Sequence, residues 1–268
     1  MCLHENRDLL QGAGLSLAYP GRDGIPSGTL APRLPGTIGT VDADAVPRAQ
    51  ATLRDHADGR PMILSEENIP GRMFHFMRGM FYPMAEARCE VLRAAWDAPI
   101  AHVLLVVRPY HELFVSGYRK RAEDNAVPAF DSLRATYMAM DRGWPALVEI
   151  LRDVLRPEQL TVIPYAQRGS SADLVHRLVP GLPGGALIEP KRVVNLSATD
   201  AALAALQREY KGGKKLPRAK WKSVIGKYAD ETESRGFAAF STDEVVGLSE
   251  RYASDLKQIE WMAGVSLG

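Results

Sequence analysis

The sequence predicts an α/β fold: a three-layer sandwich with a parallel sheet between helices. Three observations carry it. Residues 103–107, VLLVV, form an apolar run too short for a buried helix and rich in valine, as in a strand buried on both faces. Arg108-Pro109 ends that run, since proline cannot extend a ladder and holds the residue before it extended. A helical pattern follows at once, with Tyr110, Leu113, Phe114, Gly117 and Tyr118 on one face and Arg119, Lys120 and Glu123 in water. Short apolar runs alternate with such helical patterns along the rest of the chain, which implies parallel strands joined by helical crossovers.

In chain order, residues 4–12 read as a helix stopped by Gly-Ala-Gly, and 15–19 as a strand closed by Pro20. Residues 21–46 are rich in Gly and Pro with little periodicity and predict a long surface excursion. Its cluster Gly36-Thr37-Ile38-Gly39-Thr40 is no Walker loop, since no strand runs into it and no Lys follows. Helix signals return at 45–56, and 61–64 give a short strand ending in Ser65-Glu66-Glu67-Asn68. Residues 71–79 read as a mobile helical flap and 84–96 as a clean amphipathic helix. Beyond Glu123, helices are expected over 128–137 and 144–155, the second with Pro145 at its first position. A strand at 160–163 and helices at 172–178, 199–210 and 242–261 complete a single domain.

Bulk properties narrow the class. A chain of 268 residues, 46% apolar and 24% charged, has the length and composition of one domain with a full core. A net charge of +1 gives no reason to expect a nucleic-acid or anionic-membrane partner. Cys2 and Cys89 offer neither zinc spacing nor a disulfide framework, and Cys89 reads as a small core or boundary residue. No apolar run approaches a membrane span and the start is polar, so the expectation is a cytoplasmic protein. Six scattered histidines include no pair at metal-ligand spacing, so no metal site is expected; His102 reads as a core-edge residue and His111 as one near the cleft.

The chemistry concentrates at the end of the 103–107 strand. Open α/β sheets bind ligands at the carboxyl ends of their strands, where a helix N-terminus favours anions. Arg108 and, about two turns into the next helix, Ser116 can hold one phosphate between a guanidinium fork and a hydroxyl. Spacing alone also allows an Arg that caps a neighbouring carbonyl and a Ser that merely lies in a helix.

Strand, Arg-Pro, then Ser in V-S-G-Y resembles the 3′-phosphate-binding element of sulfotransferases that use 3′-phosphoadenosine 5′-phosphosulfate (PAPS). NRDLLQGAGLSLAYPG, ILSEEN, RGMFYPMAEAR, RGWPALVEILRDVL, VNLSATDAALAAL and LSERYASDLKQI are similar to segments of a bacterial sulfotransferase-like group. The resemblance implies a P-loop NTPase-like sheet and PAPS as co-substrate, with Arg108 and Ser116 on its 3′-phosphate. It points to Glu66, with Glu67 beside it, as the base at the neighbouring strand end. It likens the basic stretch carrying Lys211, Lys214, Trp221 and Lys222 to the family's late donor-closing loop. The acceptor would be a small molecule or glycan. Tyr165-Ala166-Gln167 departs from relatives that carry an acidic residue after the tyrosine. The chain starts inside the helix that, in the family, follows the 5′-phosphosulfate loop, so first strand and loop are expected to be missing. Two consequences are expected: catalytic silence, as in a degenerate nucleotide-binding relative, and association into a homo-oligomer through an open sheet edge.

Overall fold

Each apolar run predicted as a strand does form one, and all the ladders are parallel, in two pieces with no closed barrel. The computed structural model describes residues 1–21, 25–182, 185–191 and 197–268. The single helix expected at the start is two, α1 (Cys2–Glu5) and α2 (Arg7–Gly12). Asn6 separates them. Its buried amide donates to Cys2 O at 2.9 Å and Ile188 O at 2.8 Å, and accepts from Ile188 N at 2.7 Å, so it serves a distant segment.

Strand β1 (Ser16–Ala18) follows, then the long excursion, helix α3 (Ala45–Ala57) and strand β2 (Met62–Leu64). β1 and β2 pair in parallel, Leu17 opposite Ile63. The segment read as a mobile flap holds a 3₁₀ helix, Met73–Arg78, in which Phe76 is almost fully buried and stacks on Phe81. It lies against the next crossover helix, where Gly117 leaves the room: a Cβ there would stand 3.1 Å from that of Met73.

Helix α4 (Ala85–Ala95) leads to strand β3 (His102–Val107) and helix α5 (Tyr110–Ala122). A 3₁₀ turn and α6 (Arg134–Met138) replace one expected helix. Then α7 (Trp144–Ile150) runs into a π-helical turn at Leu151–Leu155. Strand β4 (Gln159–Pro164) precedes α8 (Ser171–Leu178), which starts on a Ser170–Asp173 capping box. The last helices are α9 (Asp200–Lys211), α10 (Arg218–Lys227) and α11 (Thr242–Glu260), and strand β5 (Val265–Leu267) ends the chain. α10 and β5 were not expected. The first lies in a stretch whose charge hid its inward Trp221, Val224 and Ile225; the second is too short to show a period.

The order β3-β4-β5 makes β4 the inner strand, and it, not β3, is buried on both faces over residues 160–164. β3 corrects the expectation: residues 102–106 are only half-buried, because β4 is its sole ladder partner among the described residues. One face of both pieces meets the large core. Ala18, Met62, Leu64, Val103, Leu105, Val107, Leu160 and Val162 all pack into it. A smaller cluster of Cys2, Leu3, Leu10, Ile63, Ala172 and Val175 covers the other face of the β1–β2 piece with α1, α2 and α8. Among the described residues no helix is long and apolar enough to cross a membrane.

Candidate anion site at the carboxyl edge of the sheet

Arg108 is the first residue after β3 and Tyr165 the first after β4, and the guanidinium carbon of Arg108 lies 3.9 Å from the centroid of that ring. Arg168, one turn on, places its own guanidinium 4.6 Å from the same ring. A ring in contact with two guanidiniums attracts both, and like charges are kept close only where something offsets their repulsion. Neither Arg108 nor Arg168 forms a salt bridge or side-chain hydrogen bond among the described residues, although other arginines of the chain do. The backbone here is tied to Trp144. Trp144 Nε1 donates to Arg108 O at 2.9 Å, and Trp144 N donates to the Tyr110 hydroxyl at 2.7 Å.

Tyr82 joins the end of β2 to this place. Burial, then the Glu67 carboxylate, push its phenol well above the usual range, and Arg108 pulls the other way. Glu67 and Arg108 therefore act on one hydroxyl from opposite directions. Tyr82 holds a left-handed backbone at φ 46°, and Arg142 donates to Phe81 O at 2.9 Å and Tyr82 O at 2.7 Å to keep it there. Sequence reading missed Tyr82 and Arg168 as members of the site. An aromatic pair followed by proline, Phe81-Tyr82-Pro83, was the one available signal for the first.

Glu66 accepts from Asn68 N at 2.7 Å and Asn68 Nδ2 at 3.1 Å, closing its own loop. Arg88 fixes the same loop by donating to Asn68 O at 2.6 Å and Ile69 O at 2.8 Å, and reaches Leu34 O at 3.1 Å. Glu66 also borders an open cleft of about 420 Å³ with Gly21, Thr29, Leu30 and Ala31. Ser116 is half-buried in α5, and its hydroxyl has no hydrogen bond among the described residues.

The late basic residues lie on the α9–α10 hairpin. Lys211 lines a separate cleft of about 200 Å³ with Tyr118, Phe130 and Phe237. Lys214 pairs with Glu209 at 2.7 Å. Trp221 is buried against Leu206 and Tyr210, with Arg218 at 5.4 Å and Lys222 at 6.0 Å from its ring.

No known family model, curated protein or solved structure matches this chain. The edge is thus interpretable only by its own chemistry. His102 bonds Thr161 Oγ1 at 2.8 Å across β3 and β4 and belongs to the sheet. His111, in the first turn of α5, keeps a buried Nδ1 without a hydrogen-bond partner among the described residues.

Proposed function

We propose that this chain is a sulfotransferase-like protein that takes PAPS as donor and a small-molecule or glycan hydroxyl or amine as acceptor. One observation carries the reading: Arg108, at the strand end where α/β sheets bind ligands, is stacked on Tyr165 and pairs with no carboxylate among the described residues. A half-buried guanidinium without a counter-ion is costly unless an anion from outside completes it. Its fork suits the 3′-phosphate of the donor, with the Ser116 hydroxyl as second donor and Arg168 as second cation. Sulfuryl transfer needs a positioned acceptor and a base for its proton. Glu66 and Glu67, just past the end of β2, are the candidates for that role; Glu67 and Arg108 both act on the Tyr82 phenol.

Calorimetry tests the donor half. Adenosine 3′,5′-bisphosphate should bind at least about tenfold more tightly than adenosine 5′-monophosphate, a difference of about 1.4 kcal/mol. Equal affinities would remove the 3′-phosphate from the site. A second reading, a nucleotide-binding relative without transfer, is favoured by Glu66, whose Oε1 accepts two hydrogen bonds from Asn68 in its own loop. Labelled PAPS with a panel of acceptors separates the two.

A further inference from the structure

We propose that the outer face of α11 docks on the same face of a second copy of this chain, the two helices antiparallel about a twofold axis between Ala253 and Ser254. The proposal rests on that helix and not on the nucleotide reading. α11 turns Leu248, Tyr252, Leu256 and Ile259 into the large core. On its far side Val246, Glu250, Ala253, Ser254 and Lys257 are exposed, and so is Trp261, whose backbone (φ -89°, ψ 0°) carries the helical turn one residue on. At 3.6 residues per turn these six positions fall within an arc of about 100°. Trp261 is 87% exposed and Val246 50%, so the stripe is apolar at both ends. Met138, also exposed, widens the valine end: a Cβ on Gly247, next to Val246, would stand 3.4 Å from its Cε.

The order of residues along the stripe selects a second copy as the occupant. A twofold contact requires that where residue i of one copy meets j of the other, j also meets i. Turned end for end about the Ala253–Ser254 midpoint, the stripe is its own complement. Trp261 of each copy stands opposite Val246 of the other, and Glu250 of each opposite Lys257 of the other. Ala253 and Ser254 meet at the crossing, where small side chains let two helix axes approach to about 8 Å. Within one chain Glu250 and Lys257 lie two turns apart, about 10 Å along the helix, too far to pair. Neither has an ion pair among the described residues, whereas Glu244 of the same helix pairs with Arg134. The second copy brings each charge its opposite and each indole a valine. A lipid surface would favour cations along the seam, and Glu250 stands within it.

Sedimentation velocity of the whole chain over a range of concentrations tests this. The wild type should pass from monomer to dimer as concentration rises. Trp261→Ala should raise the dissociation constant at least about tenfold, because the contact is lost twice. Glu250→Lys alone and Lys257→Glu alone should also weaken the dimer, since each sets like charges across the axis. The two reversals combined should restore it. All three positions are on the surface, so circular dichroism of the variants should match the wild type. A wild type that stays monomeric at every concentration would leave the stripe to a lipid surface or an unrelated protein and overturns the proposal. A dimer that keeps its affinity in Trp261→Ala, or a double reversal no better than the single ones, would place the contact elsewhere, as at the open sheet edge, and overturns it too.

Discussion

Arg108 and Tyr165, the first residues after β3 and β4, are held together by a cation–π contact of 3.9 Å. The contact orients a guanidinium without spending its hydrogen-bond donors, none of which meets an acceptor among the described residues.

Arg108→Ala should weaken adenosine 3′,5′-bisphosphate binding by roughly 2–4 kcal/mol, and Ser116→Ala by about 1 kcal/mol. Arg108→Lys should recover only part of the loss, since an ammonium has no fork. Tyr165→Leu should leave the charge and loosen its aim, costing about 0.5–1 kcal/mol. Calorimetry on the four variants checks the order.

Glu66→Gln and Glu67→Gln divide the acidic pair. Whichever residue is the base should lose about 10²-fold or more in turnover on becoming Gln while donor binding is kept. Loss only in Glu67→Gln would leave Glu66 as the clasp of its own loop. Unchanged turnover in both would make the pair structural.

Gly143→Ala should be among the most damaging single-methyl changes available. A Cβ at that position would collide with the Tyr110 hydroxyl and the Asp255 carboxylate, which hydrogen-bond each other and join α5 to α11. Overpacking of this kind costs roughly 1–3 kcal/mol or more. Denaturant unfolding should show it as a lowered midpoint with an unchanged slope.

Asp200 predicts acid sensitivity of stability. Burial alone would raise its carboxyl, but hydrogen bonds from Arg119 and from the amides of Phe237 and Arg235 outweigh that and hold it below its ordinary value. A carboxyl lowered in the folded state stabilises fully above its unfolded value of 3.8, and that stabilisation is lost as pH falls below it. Asp200→Asn should therefore be weaker than the wild type near neutrality by roughly 2–4 kcal/mol. The difference should shrink as unfolding is followed downward through pH 3.8.

Much of the frame was readable because its signals are local. The VLLVV run, the Arg-Pro stop and the 3.6-residue period of α5 place strand, turn and helix within a residue or two. What sequence could not give is who neighbours whom. Burial on both faces was assigned to β3 from its composition, but β4 holds the inner place through a pairing with β5 that no local pattern announces. The site divides in the same way. Arg108 was legible from its strand end, whereas Arg168 and Tyr82 join it only through tertiary contacts. Trp221, set among lysines in the sequence, is held in a small core of its own, a packing that no local pattern announces.

The two cysteines lie in different apolar clusters, Cys89 in the large one and Cys2 in the small one. Burial pushes the Cys89 thiol up to about 12, and burial with the Glu189 carboxylate raises that of Cys2. Because the thiolate is the reactive form, each should resist alkylation until its own cluster opens. The chain thus carries two internal clocks. Timed labelling, resolved by mass spectrometry at Cys2 and Cys89, should read the breathing of the two clusters separately, with Cys2 modified first.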